Sequence, residues 1–191
     1  MRKILFIVGL ILVCGCIAVA QDYPKAELGA GWNLLHIDTG GAPGVDKTFP
    51  AGFFADGTYY FAKLIGVTGD FQINWHTFPV GQIAEPSVDA HALSFHAGPR
   101  VKFRMGKVEP FAHGLFGFTH VSGTGAGVNQ SDTAFSLKLG GGLDVGVARH
   151  FALRLGEFNY YLTKFGVNSE VNFNGQGHQN NFTFSAGVVI R

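Results

Sequence analysis

From Ala92 to Phe118 the chain reads ALSFHAGPRVKFRMGKVEPFAHGLFGF, and its side chains alternate with a period of two. Leu93, Phe95, Ala97, Pro99, Val101 and Phe103 share one parity; Ser94, His96, Gly98, Arg100, Lys102 and Arg104 share the other. Successive side chains of a strand point to opposite faces, so this is a long strand with one apolar wall and one polar, basic wall. Met105-Gly106-Lys107 turns it, and Val108 to Phe118 returns with Pro110, Ala112, Gly114, Phe116 and Phe118 on one side. Glu109, His113 and Thr119 fall on the other. Strands of this length exceed the soluble mode of about 5–6 residues and match the roughly 9–11 that cross a bilayer at a tilt.

The same pattern recurs along the chain. Strand one is predicted from Ala26 to about Asp38, strand two from Ala51 to Phe61, and strand three from Ile65 to His76. The hairpin above supplies strands four and five. Strand six spans Thr133 to Val147, strand seven Phe151 to Leu162, and strand eight Asn180 to Arg191. In strand seven the alternation fails, because Arg154 and Glu157 share a face only if a residue is inserted. Gly156 is where a bulge fits. Long Gly-, Pro- and Asn-rich loops are expected at 39–50, 77–90, 120–132 and 163–179. Tight connections are expected at Ala62-Lys63-Leu64, Met105-Gly106-Lys107 and Ala148-Arg149-His150. Eight antiparallel strands joined alternately by short turns and long loops describe an all-β, up-and-down transmembrane β-barrel.

The first twenty residues read as a signal peptide. Arg2 and Lys3 are basic, Ile4 to Val13 apolar, and Ala18-Val19-Ala20 is a small-residue cleavage site before Gln21. This site is favoured over Val13-Cys14-Gly15-Cys16, a lipidation-like box with an atypical Cys at its second position. Cleavage leaves 171 of the 191 residues as one barrel domain, 21–191, and removes Cys14 and Cys16. The mature chain then has no thiol for a disulfide, a metal-thiolate site or Cys catalysis. Without Arg2 and Lys3, 12 basic side chains face 13 acidic ones, which gives no footprint for nucleic acid.

Alternation alone also fits a soluble lipocalin-like binder, and residue size decides between the two. An eight-stranded barrel has an interior just wide enough for side chains to fill. Trp32, Phe71, Trp75, Phe103, Leu139 and Phe184 share one face, while glycines and hydroxyls populate the other. With the bulky face outward, lipid meets an apolar wall and the lumen holds opposite charges. Glu27, Asp56, Asp70, Glu109 and Asp144 are expected to meet Arg100, Lys102, Arg104, Lys138 and Arg154 there, with His96 and His113 among them. Trp32, Tyr59, Tyr60, Trp75 and Tyr161 stand near strand ends, where interfacial aromatics belong.

Segments such as AKLIGVTGDF (62–71), AGPRVKFRMGKVEPFAHGLFG (97–117), LGGGLDVGVARHFALRL (139–155) and FSAGVVIR (184–191) resemble the small outer-membrane β-barrel proteins of Gram-negative-type bacteria, akin to the OmpA transmembrane domain. The resemblance implies a monomeric eight-stranded barrel with a polar lumen in the bacterial outer membrane. It implies outer-membrane lipid and, during biogenesis, the barrel-assembly machinery as partners, with no cofactor. Family chains commonly end on an aromatic residue read by that machinery, and this one ends Ile190-Arg191. No second, peptidoglycan-binding domain is read, so wall anchoring by this chain is not expected.

Three chemistries have plainer alternatives in this sequence. The histidines carry no HxxxH or HExxH spacing, so His36, His76, His91, His120 and His178 read as loop-end polar residues and no metal is expected. His96 with His113 is the pair that neighbouring strands could bring together. His120-Val121-Ser122, oriented by Glu157 or Asp132, has the spacing of a lipid-modifying enzyme, but Ser122 precedes a Gly-Thr-Gly-Ala-Gly run that would not hold a nucleophile rigidly. Gly140-Gly141-Gly142 lies mid-strand with no following helix, so it relieves crowding rather than cradling phosphate. The expectation is a non-enzymatic envelope protein with a structural or surface role; a small channel, a lipid-modifying enzyme and a lipocalin-like binder are the alternatives.

Overall fold

The computed structural model describes residues 23–38, 48–79, 87–125, 128–164 and 178–191; the expected signal segment and the centres of the long loops lie outside them. The ladder contains β1 (Ala26–His36), β2 (Thr48–Phe49), β3 (Ala51–Tyr60), β4 (Ile65–Pro79), β5 (Ser87–Lys102), β6 (Val108–Gly125), β7 (Val128–Ala148), β8 (Phe151–Lys164) and β9 (Gln179–Ile190). Every neighbour is antiparallel in sequence order, and β1 pairs with β9 from Leu28↔Ile190 to His36↔Phe182. An eight-stranded up-and-down barrel results, with no free edge. β2 continues β3 across Pro50, which lacks an N–H for the ladder; the Pro50 carbonyl accepts from Trp32 Nε1 at 2.8 Å.

The apolar parity faces out. Trp32, Phe71, Trp75, Phe103 and Leu139 are exposed on the outer wall, while the polar parity is buried in the lumen. Gly106, at φ 70°, makes the turn between β5 and β6, a left-handed conformation that glycine adopts without penalty. The insertion expected near Gly156 is present: Asp144 pairs with Arg154 while Leu143 pairs with Gly156, and the β8–β9 register shifts between Arg154 and Glu157.

That bulge corrects one expectation. Beyond it the parity of β8 is reversed, so Tyr160 faces out and Tyr161 is 3% exposed inside the lumen. Tyr161 is therefore no interfacial aromatic, and neither is Tyr60, which shares the buried parity of Asp56 and Thr58. Trp32, Tyr59 and Trp75 are on the outer wall.

The described residues of the loops predicted at 77–90 and 120–132 are strand, and residues 80–86 and 126–127 lie outside the described ones. β4 and β5 pair up to Pro79↔Ser87, and β6 and β7 up to Gly125↔Val128. Ser, Thr and Val carry the ladder on past the point where the apolar signal stops. On the outer parity of β6, Phe116 and Phe118 give way to His120, Ser122 and Thr124; on β7, Leu137 and Phe135 give way to Thr133, Ser131 and Asn129. This change from apolar to polar marks the loop-side edge of the membrane. β6 and β7 have 18 and 21 residues against 11 and 10 for β1 and β3, so the β6–β7 hairpin rises above that edge.

Candidate functional site

The lumen is the one place where this sequence concentrates buried charge. Among the described residues six carboxylates (Glu27, Asp56, Asp70, Glu109, Asp144, Glu157) meet four buried cations (Arg100, Lys102, Lys138, Arg154), with Arg104 and Arg191 at the turn-side mouth. The two signs balance, as they must where water is scarce. All twelve residues expected in the lumen stand in or at the mouth of this network. Sequence reading placed neither Glu157 nor Arg191 there.

At the turn end, Lys102 Nζ donates to Glu27 and, at 2.8 Å, to Asp144 Oδ2; Glu109 lies 3.7 Å away. Tyr60 donates its hydroxyl to Glu27 at 3.2 Å, and Arg104 Nη2 stands 3.5 Å from the other Glu27 oxygen. Arg191, following β9, donates to Glu109 at 2.5 Å.

The middle layer turns on Arg154. Its Nη1 donates to Asp56 Oδ1 at 2.7 Å and Glu157 Oε2 at 2.8 Å, and its Nε donates to Asp144 Oδ1 at 3.0 Å. Arg100 takes the other Asp56 oxygen at 2.7 Å and Thr58 at 2.9 Å. Both guanidiniums lie over Phe111, at 4.6 and 4.7 Å from its centroid, a favourable cation–π placement. Phe54, which breaks the polar parity of β3, lies under Arg154 at 5.5 Å. A side chain on Gly142 would clash with the Phe111 ring, and one on Gly29 with the Asp56 carboxylate. Glycine at these positions makes room for the network.

Toward the loops, Lys138 donates to Asp70, and His96 Nε2 is 2.8 Å from Ser136 Oγ. Thr119 joins Ser136 at 3.0 Å and bonds Tyr161. Asn33 donates to Gln72 at 2.8 Å. Above this layer Leu35, Phe49, Ala90, Ala92 and Tyr161 form an apolar cluster, with Ile37 and Val121 against it, that lines the loop-side end of the lumen.

His96 and His113 do not meet. His96 stands opposite Gly117 and His113 opposite Arg100, and His113 Nε2 lies 2.6 Å from Asn159 Oδ1 in the middle layer. His120 Nδ1 is 2.8 Å from Thr133 Oγ1, and Asp132 accepts from the Thr133 backbone N–H. Glu157 is inside the barrel, on the other face of the wall from His120. Among the described residues no three His, Asp or Glu side chains gather in metal-binding geometry.

A family model, "Outer membrane protein beta-barrel domain", matches residues 6–189. The chain belongs to that family. As an outer-membrane barrel it resides in the bacterial outer membrane, with short turns on the periplasmic side and longer loops outside. No curated protein matches it. Its fold is shared with the solved structure of Ail, the attachment invasion locus protein of Yersinia pestis, in complex with the heparin analogue sucrose octasulfate, at 21% identity and TM-score 0.59 over 86% of this chain and 96% of that one. Neisserial surface protein A is similar at 16% identity and TM-score 0.60, over 87% and 97%. OprG from Pseudomonas aeruginosa is similar at 15% identity and TM-score 0.52, over 86% and 94%.

Proposed function

We propose that this outer-membrane barrel is a non-enzymatic envelope protein, monomeric, whose lumen is a closed scaffold and whose working surface is at the loop end. The observation that carries the reading is the lumen itself, where paired charges occupy all three layers and an apolar cluster follows on the loop side. A side-chain-filled interior is what eight strands favour. Support for a surface role comes from the ladder. β6, with 18 residues, extends about eight beyond what a bilayer needs, a rise of about 26 Å along the strand, and β7, with 21, extends further. Outer-membrane lipid and, during assembly, the barrel-assembly machinery are the partners this reading requires.

Binding of a polyanion such as the one held by Ail is not carried over. At the loop end the described Asp, Glu, Lys and Arg are Asp38, Asp89 and Asp132 against Lys164, the wrong sign for it.

Planar bilayers containing the folded protein test the closed lumen: no steady unitary conductance is expected, and regular steps would replace the scaffold with a small channel. Cells in which residues 121–131 are replaced by Asn-Gly test the surface role. They should keep wild-type detergent resistance and lose adhesion to surfaces. Unchanged adhesion would remove the hairpin from the reading, and altered lipid composition in Ser122→Ala cells would point to an enzyme instead.

A further inference from the structure

Among the described residues, the exposed charges at the turn end of the barrel are all cations. Each short turn carries an exposed cation: Lys63 between β3 and β4, Lys107 between β5 and β6, and Arg149, beside His150, between β7 and β8. Lys25 precedes β1 at the same end. The carboxylates of this end, Glu27 and Glu109, are buried and already held by Lys102, Arg104 and Arg191. Among the described residues none is left to pair with Lys63, Lys107 or Arg149.

The turns are also tied to one another. Arg104 Nη1 donates to the Lys63 carbonyl, Gly146 N–H to the Lys107 carbonyl at 2.7 Å, and Arg191 N–H to the His150 carbonyl at 3.0 Å. The turn backbones that carry the cations are therefore held together as a collar around the rim. Apolar side chains are interleaved with them. Phe61 and Leu64 flank Lys63, Met105 and Val108 flank Lys107, and Phe151 follows Arg149, all exposed. A turn standing in water would gain nothing from these residues. Exposed apolar groups beside unpaired cations instead place the rim at the level of lipid headgroups, with the acyl region directly above.

We infer that this collar binds the phosphate headgroups of anionic phospholipids in the periplasmic leaflet. An acidic periplasmic protein would satisfy the charge but not the interleaved Phe, Leu and Met, so lipid is the occupant the surface fits. Near an anionic membrane each Lys or Arg contributes enough to shift local partitioning by about fivefold.

The test uses the folded barrel in phosphatidylcholine vesicles containing a minor fraction of photoactivatable phosphatidylglycerol or, separately, photoactivatable phosphatidylcholine. Cross-links are mapped by peptide. Residues 61–64, 103–107 and 149–150 should be labelled about fivefold more by the anionic probe. The ratio should fall toward one in the triple variant K63Q/K107Q/R149Q, and in 1 M salt, where the screening length is about 3 Å. K164Q, at the loop end, should leave it unchanged, and the heat-dependent gel shift verifies that each variant is folded. Equal labelling in the wild type, or a ratio indifferent to the triple substitution, overturns the inference. Equal labelling together with polyglutamate binding through the same three cations would reassign the collar to an acidic protein.

Discussion

Replacing Arg154 by Leu would test whether the lumen is dry. Its guanidinium serves Asp56, Asp144 and Glu157 at once, at 2.7, 3.0 and 2.8 Å. Without it Asp56 keeps Arg100 and Asp144 keeps Lys102, but Glu157 is left with the Asn159 amide and with His113 at 3.9 Å. One buried carboxylate thus loses its only strong cation, and breaking a buried pair in this way costs about 3–5 kcal/mol. With a urea slope of about 2 kcal/mol per molar, the unfolding midpoint should fall by about 1.5–2.5 M. The assay is equilibrium unfolding in lipid vesicles, read by tryptophan fluorescence and by the heat-dependent gel shift. Arg154→Leu combined with Glu157→Gln should recover part of the loss, because the stranded charge is gone. A single-variant loss below about 1 kcal/mol, the range of exposed pairs, would refute the reasoning and mean that water reaches the middle layer.

The outer wall offers a depth-dependent check: Phe158→Arg, near the middle of β8, should cost about 2–4 kcal/mol, and Tyr59→Arg, near the turn end, about 0–1 kcal/mol in the same assay. Equal costs at both sites would contradict the assigned membrane depth. Gly29→Ala drives a methyl group into the Asp56 carboxylate and should destabilise by about 1–3 kcal/mol. An unchanged midpoint would mean the network shifts freely. Tyr161→Phe removes the bond to Thr119 and should cost about 1 kcal/mol, whereas a truly interfacial tyrosine should leave Thr119 and Ser136 unaffected in amide exchange.

The architecture is readable because the strands other than β8 keep one rule, two residues per repeat, and because size separates the two faces. Twelve lumen residues follow from parity alone. One limit is that parity carries no information about where it is interrupted. Arg154 and Glu157 announce an inserted residue, yet the consequence for Tyr161, four positions further on, follows only once the bulge is placed. Tyr60 lies near a strand end, but its parity with Asp56 and Thr58 points inward, and parity decides. The upper reaches of β4 to β7 read as loops in the sequence because Ser, Thr, Asn and Gly there serve equally well in turns and in solvated strands, and only pairing tells them apart. Arg191 looked like a departure from a terminal aromatic because its partners, Glu27 and Glu109, are contributed by strands distant in sequence.

The same arginine bears on how the barrel finds its seam. A slip of one residue between β1 and β9 would turn every side chain to the wrong face and is forbidden on that ground. A slip of two restores the faces, so alternation offers no protection against it. It would, however, carry Arg191 about 6–7 Å along β1, away from the Glu27 carboxylate that its Nε now approaches to 3.8 Å. The last residue of the sequence thus acts as a vernier for the whole cylinder, rejecting the one misalignment that hydrophobicity would accept.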